Sequence, residues 1–280
     1  MTDDSYSRRA MLGGFSMSAA WMGSGAASAS VLTAADATGP LPDFNDPQFN
    51  LDSIVKLIGS LEAVDCPWWY TGTIYAVRER TAPVPLVRFE GCEISHFRPW
   101  KTGGYMESAR TTSFFRDYQT NEYLSEFKNP ITGKTNKVGV NILGGDNGMH
   151  FSVNGLRSSR TMDKIPDKPL RLDWQVSGDL AWVIKDRGIP EPSVQPLLEA
   201  QSVFCRARDL SDRNLKSIDS WFSSTSFGRY PKWLEMDDQP GHTVWHASGR
   251  KLKSIEQLPP AYLARARAEY PSQLDASPKS

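Results

Sequence analysis

Residues 107–140, ESARTTSFFRDYQTNEYLSEFKNPITGKTNKVGV, decide the fold class. The segment opens with a run of Thr and aromatic residues. Its second run, EYLSEF, sets Tyr123, Ser125 and Phe127 on one side and Leu124 and Glu126 on the other, the period of two that a strand requires. In Asn129-Pro130-Ile131-Thr132-Gly133, Pro130 presets φ at a corner and Gly133 is free to take a positive φ, so the chain reverses there. This reads as three consecutive antiparallel strands. A meander of that kind must bury one face against another layer or close on itself.

Strand patterns continue on both sides. Residues 66–77 and 86–100 precede the meander, with His96 and Arg98 on one strand face and Phe97 on the other. Residues 149–156, a hairpin over 170–185 turning at Ser177-Gly178-Asp179, and runs at 195–207 and 242–246 follow it. Glycine-rich residues 144–148 read as a loop, and 221–233 as an aromatic loop region. Short helices are expected near both ends. One is capped by Asn50 and carries Leu51, Ile54, Val55, Ile58 and Leu61 on one stripe; the other spans 260–269 and is begun by Pro260. Sequential strands without helical crossovers exclude a parallel architecture. The expected fold is all-β: a large antiparallel, lipocalin-like β-barrel with short terminal helices, a two-sheet sandwich being the alternative.

The amino terminus carries Arg8-Arg9, a modest apolar run and the small-residue site Ala27-Ser28-Ala29. Residues 1–29 therefore read as a twin-arginine-type signal peptide, residues 30–49 as an extended leader, and residues 50–280 as a single antiparallel β domain. The expected localisation is the periplasm or another exported compartment, with the twin-arginine machinery as a transient partner. The 32 basic residues balance 32 acidic ones, which gives no basis for a nucleic-acid groove or a polybasic membrane patch. Three cysteines leave at least one thiol free or paired between chains, and a homodimer stays open.

The segment RTTSFFRDYQTNEYLSEFKNPITGK, with the later DDQPGHTVWHASGRKL, resembles a bacterial family of exported proteins classed as a domain of unknown function. The likeness covers most of residues 50–275, and its more specific parts are the turn at 129–133 and His246-x-x-Gly249-x-Lys251-Leu252. Thr111 stands where the family has an acid and Tyr118 where it has a proline, and the family's histidine and Asn-Asp-Pro have no clean equivalent around 141–147. The resemblance implies the fold and export and brings no activity.

Chemistry is therefore sought among the residues themselves. His96, His150 and His246 are candidates for proton transfer, with Glu107 as a basic or orienting carboxylate and Tyr118 as a phenolic donor. Arg98 and Arg110 are candidates for holding an oxyanion. Trp68, Trp69, Tyr70, Trp100 and Trp174 are candidates for lining an apolar cavity. His242 and His246 on one strand stand about 13 Å apart, too far to share a metal; a site drawn from three distant histidines stays open. Residues 144–148 lack the helix that a phosphate cradle needs, and no Gly-x-Ser-x-Gly occurs, so no cofactor is expected. These features describe a cofactor-independent acid–base enzyme, a lyase, isomerase or hydrolase, acting on a hydrophobic oxygenated small molecule. A lipocalin-like carrier and a structural envelope protein are the alternatives.

Overall fold

A computed structural model of the chain describes residues 42–158, 167–189 and 197–278. The expected signal peptide, most of the expected leader and the proline-containing turn expected after residue 189 lie outside the described residues.

The alternating runs form the strands β1 (Asp65–Val77), β2 (Val84–Pro99), β3 (Tyr105–Asp117), β4 (Glu126–Lys128), β5 (Thr135–Lys137), β6 (Asn141–Ser152), β7 (Gly155–Ser158), β8 (Asp173–Ser177), β9 (Leu180–Ile189), β10 (Leu197–Arg206), β11 (Ser220–Gly228) and β12 (His242–Lys251). Ten of them make one antiparallel sheet in the order β7-β6-β3-β2-β1-β12-β11-β10-β9-β8, and β4 pairs with β5 in a separate small sheet. The helices are α1 (Pro47–Ile58), α2 (Ala207–Ser211) and α3 (Pro260–Glu269).

The fold is mainly β, as expected, but the sheet is strongly curved and does not close into a barrel. Among the described residues the edge strands β7 and β8 span four and five residues. At the seam, residues 168–170 run beside the β6–β7 turn and make single backbone bonds, Lys168 N–H to Asn154 O at 3.2 Å and Leu170 N–H to Val153 O at 2.8 Å. Helix α1 completes the bridge: Asn50 Oδ1 accepts from Trp174 Nε1 at 2.8 Å, and Asn50 Nδ2 donates to Leu170 O at 3.3 Å.

Asn50 is therefore an interior residue of α1 and not its cap. Asp46 caps the helix by accepting from Gln48 N–H, and Pro47 sits in the first turn, where a missing N–H costs nothing. The predicted apolar stripe is present, and Ser53 and Lys56 are buried as well, because α1 lies against the concave face of the sheet. Trp68 Nε1 donates to Ile58 O at 2.9 Å. Lys251 Nζ donates to the carbonyls of Lys56 and Gly59 at 2.5 and 3.0 Å, satisfying the helix end with a cation. Burying side chains such as Ile54, Leu57 and Ile58 stabilises by about 1.5–3 kcal/mol each.

The convex face of β1–β3 is covered by α3, whose Tyr262 ring meets Trp69 at 4.8 Å and Phe114 at 5.3 Å. The Tyr262 hydroxyl accepts from Cys92 N–H at 2.9 Å and donates to Thr112 O at 2.7 Å, fastening α3 to facing residues of β2 and β3.

The turn at 129–133 forms as read. Gly133 has φ 72°, and the Asn129 side chain accepts from Ile131 and Thr132 N–H. The strands it joins, β4 and β5, are shorter than predicted and leave the main sheet; Phe127 carries the hairpin onto Trp233, which packs on Phe115. Residues 144–148, expected as a loop, continue β6 through a register shift opposite β3, and the first part of the aromatic loop region expected over 221–233 lies in β11. All three cysteines are free and buried.

Candidate active site

Strand alternation divides β1–β3 into two chemically different faces. Trp68 and Tyr70 on β1, Glu93 and Ser95 on β2, and Glu107, Thr111 and Ser113 on β3 share the concave face, as the cross-strand pairs Trp68–Glu93, Glu93–Thr111 and Gly91–Ser113 require. All are buried. On the other half of the sheet Lys185, Glu199, Gln201 and Ser224 also face inward, and they too are buried. A polar cluster thus occupies the interior, with α1 packed on one side and the aromatic group Phe89, Phe115, Trp233 and Trp245 on another.

Within the cluster the hydrogen bonds are short-range pairs. Ser95 Oγ donates to Glu107 Oε1 at 3.0 Å, Thr111 Oγ1 to Glu93 Oε2 at 3.1 Å, and Tyr70 and Ser113 share a bond of 2.8 Å. Lys185 Nζ donates to Gln201 Oε1 at 3.3 Å, and Ser224 Oγ to Glu199 Oε1 at 3.4 Å. Gly91 makes this arrangement possible, since a Cβ there would lie 2.4 Å from the Tyr70 ring.

Glu107 is the chemically distinctive member. It is fully buried; Ser95 holds one oxygen, and Oε2 has no hydrogen-bond partner. Burial pushes its carboxyl up from 4.5 to about 7, against the opposing pull of the Ser95 bond and the Lys185 charge. A group so tuned exchanges a proton near neutral pH. Gln201 Nε2 is likewise buried without a partner, so the cluster presents one unmet donor and one unmet carboxyl oxygen. A cleft of about 390 Å³ lies between the start of α1 and the β2–β3 and β6–β7 turns, lined in part by Gln48, Leu51, Gly104, Tyr105 and Asn154. Tyr105 shares the concave face of β3 with Glu107, two positions away.

The histidines and arginines expected to work with Glu107 occupy the convex face or its turns. His96 Nδ1 bonds Asp65 Oδ1 at 2.8 Å, and His150 Nε2 donates to the Gly103 carbonyl at 2.7 Å, tying down the β2–β3 turn. His246 is exposed and bonds Thr225. Arg98 lies over Trp100 and bonds Ser108, the Asp146 carbonyl and Asn147; Arg110 pairs with Asp146. Tyr118 lies beneath Arg88 at the end of β3. The five aromatic candidates also separate. Trp68 and Tyr70 are in the concave core, Trp69 packs on α3, Trp100 lies at the β2–β3 turn, and Trp174 packs against Asn50, Phe44 and Phe49 near the seam. The structure therefore groups Glu107 with Tyr70 and Trp68 and with residues the sequence reading missed: Glu93, Ser95, Lys185, Glu199 and Gln201. The available signal was parity, because Lys185 alternates in step with Ala181 and Val183.

Residues 64–280, which include all twelve strands and the whole cluster, match a family model described as a protein of unknown function (DUF1838). The chain belongs to the DUF1838 family. Helix α1, which packs on the concave face beside the cluster, precedes the region that the DUF1838 model matches. No curated protein and no solved structure matches this DUF1838 chain.

Proposed function

We propose that this DUF1838 protein is an acid–base enzyme whose reaction takes place in the polar interior of the curved sheet, on a hydrophobic small molecule carrying a carbonyl or hydroxyl oxygen. The observation that carries this reading is Glu107, a fully buried carboxyl with one free oxygen and a proton affinity raised to about 7. Glu107 takes or gives the proton, Ser95 orients it, and Lys185 with Gln201 Nε2 holds the oxygen on which charge develops. Tyr70, Trp68 and Phe89 supply the apolar wall. Lyase and isomerase reactions use this set to move the proton and hold the developing charge, and a hydrolase reaction uses it with water as the second reactant.

The test is turnover across a panel of hydrophobic alcohols, ketones, esters and epoxides, comparing the parent with Glu107→Gln. A general base contributes about 10²–10⁴-fold, so the variant loses turnover by that factor and keeps its fold. With Glu107 as base the rate rises as pH passes through about 7; with Glu107 as acid it falls there. An active substrate turned over equally well by Glu107→Gln overturns the assignment. A ligand bound tightly by both proteins and converted by neither identifies a carrier. Export before activity is part of the same proposal, supported by Arg8-Arg9 and the Ala27-Ser28-Ala29 site. Amino-terminal sequencing of protein recovered from the cell envelope tests it, and an intact leader there counts against it.

A further inference from the structure

Among the described residues the convex face of the sheet is covered on one half only. Over β1–β3 it meets α3, whereas across β9–β12 the cross-strand register aligns a row of large side chains: Trp182 opposite Phe204, Phe204 opposite Trp221, Trp221 opposite Arg250, and Arg250 opposite Trp69 at the border of α3. Trp182, Phe204 and Trp221 belong to neither apolar core, and Trp221 is 40% exposed. Their rings follow one another at 6.2 and 6.3 Å, with Phe204 and Trp221 parallel to within 8°. From Trp182 to Arg250 the row crosses three strand spacings, about 14 Å.

The neighbouring row is of a different kind. Two positions along each strand, the register aligns Thr71, Ser248, Ser223 and Ser202, all exposed or half-buried, and ends at the half-buried Ile184 on β9. The surface is therefore a line of aromatic rings, outermost at Trp221, beside a line of four hydroxyls, with one exposed guanidinium in the aromatic line.

We propose that this face binds a linear polysaccharide of equatorially substituted pyranose rings. Such a ring exposes axial C–H groups on its faces, which meet the negative face of an aromatic ring favourably. Its edge carries hydroxyls, which need donors and acceptors alongside. The two parallel rows supply both, and the guanidinium of Arg250 adds donors for ring or acyl oxygens. A bilayer requires a broad apolar face, which the serine and threonine row interrupts. A nucleic acid requires excess positive charge, and the chain's formal net charge is zero. The site lies on the opposite face of the sheet from Glu107, so it stands or falls independently of the proposed reaction.

The test is native electrophoresis of the full chain through gels containing hydroxyethyl cellulose or glycol chitin, with a parallel flotation assay on vesicles of neutral and anionic phospholipid. Retardation by at least one polysaccharide is expected, weakened about tenfold or more in Trp221→Ala and in Arg250→Ala, both exposed positions whose loss leaves the melting temperature nearly unchanged. Unchanged migration in both gels, equal retardation of parent and Trp221→Ala, or flotation with vesicles in place of retardation overturns the proposal.

Discussion

The concave and convex faces of β2 and β3 are built from alternate residues of the same two strands, yet they do opposite things with their polar groups. On the convex face every histidine and arginine considered ends on a structural partner: His96 on Asp65, Arg110 on Asp146, and Arg98 on Ser108 and the 146–147 turn. On the concave face Glu107 is given one weak orienting bond and otherwise left unmet. A polar group whose valences are filled by its own fold has little left for a substrate. One deprived of water and partners has its proton affinity moved to where chemistry needs it.

The contrast breaks most easily at Glu107. Glu107→Gln is expected to lower turnover by about 10²–10⁴-fold, while His96→Ala and His150→Ala leave it near normal. If a histidine variant is the one that loses activity, the convex face is the site.

Next in size is a pH effect on stability. Folding holds a proton on Glu107 up to about pH 7, whereas the unfolded chain releases it near 4.5. In that window the unfolded state binds fewer protons, so stability falls as pH rises from 4.5 to 7 and is then level. The parent therefore loses about 3 kcal/mol relative to Glu107→Gln across the window. Urea unfolding of both proteins at pH 5 and pH 8 measures it, and parallel profiles would show that Glu107 is solvated.

Smaller again is the cost of the convex partners. His150→Ala frees the Gly103 carbonyl and His96→Ala frees Asp65, each lowering stability by about 1–3 kcal/mol in the same unfolding assay. His246→Ala, at an exposed strand position, is expected to change stability by no more than about 0.5 kcal/mol.

The same contrast explains what the sequence makes legible. Alternation locates most strands of the main sheet, and proline and glycine locate the 129–133 turn and the start of α3, because these are local steric effects. It does not say which alternate set faces inward. In β9 the large apolar residues Trp182 and Ile184 point outward, and Ala181, Val183 and Lys185 point inward, so size misleads. Glu93 and Ser95 alternate with Cys92, Ile94 and His96, and both sets are buried because α3 covers the second. Neither burial nor hydrophobicity then separates the faces. Strand β11, SWFSSTSFG, reads as a loop because its serines line the concave cluster and the convex hydroxyl row alike. Failure of the sheet to close goes with the shortness of β8 and with α1 bridging the seam, contacts far apart in the chain.

The first described strand is completed by the last. Strand β1 pairs with β12 over ten positions, and Lys251, the final residue of β12, supplies the cation at the end of α1. During synthesis α1 and β1 emerge long before their partner, so half the core waits for some 180 residues of chain, an interval read directly from the distance between positions 70 and 249 that face each other in the register. Contacts that remote are slow to form and leave apolar surface open meanwhile. A nascent chain halted before residue 242 presents an unpaired edge along β1 and an uncapped α1. This topology makes the emergence of β12, far along the chain, the moment at which β1 and α1 gain their partners.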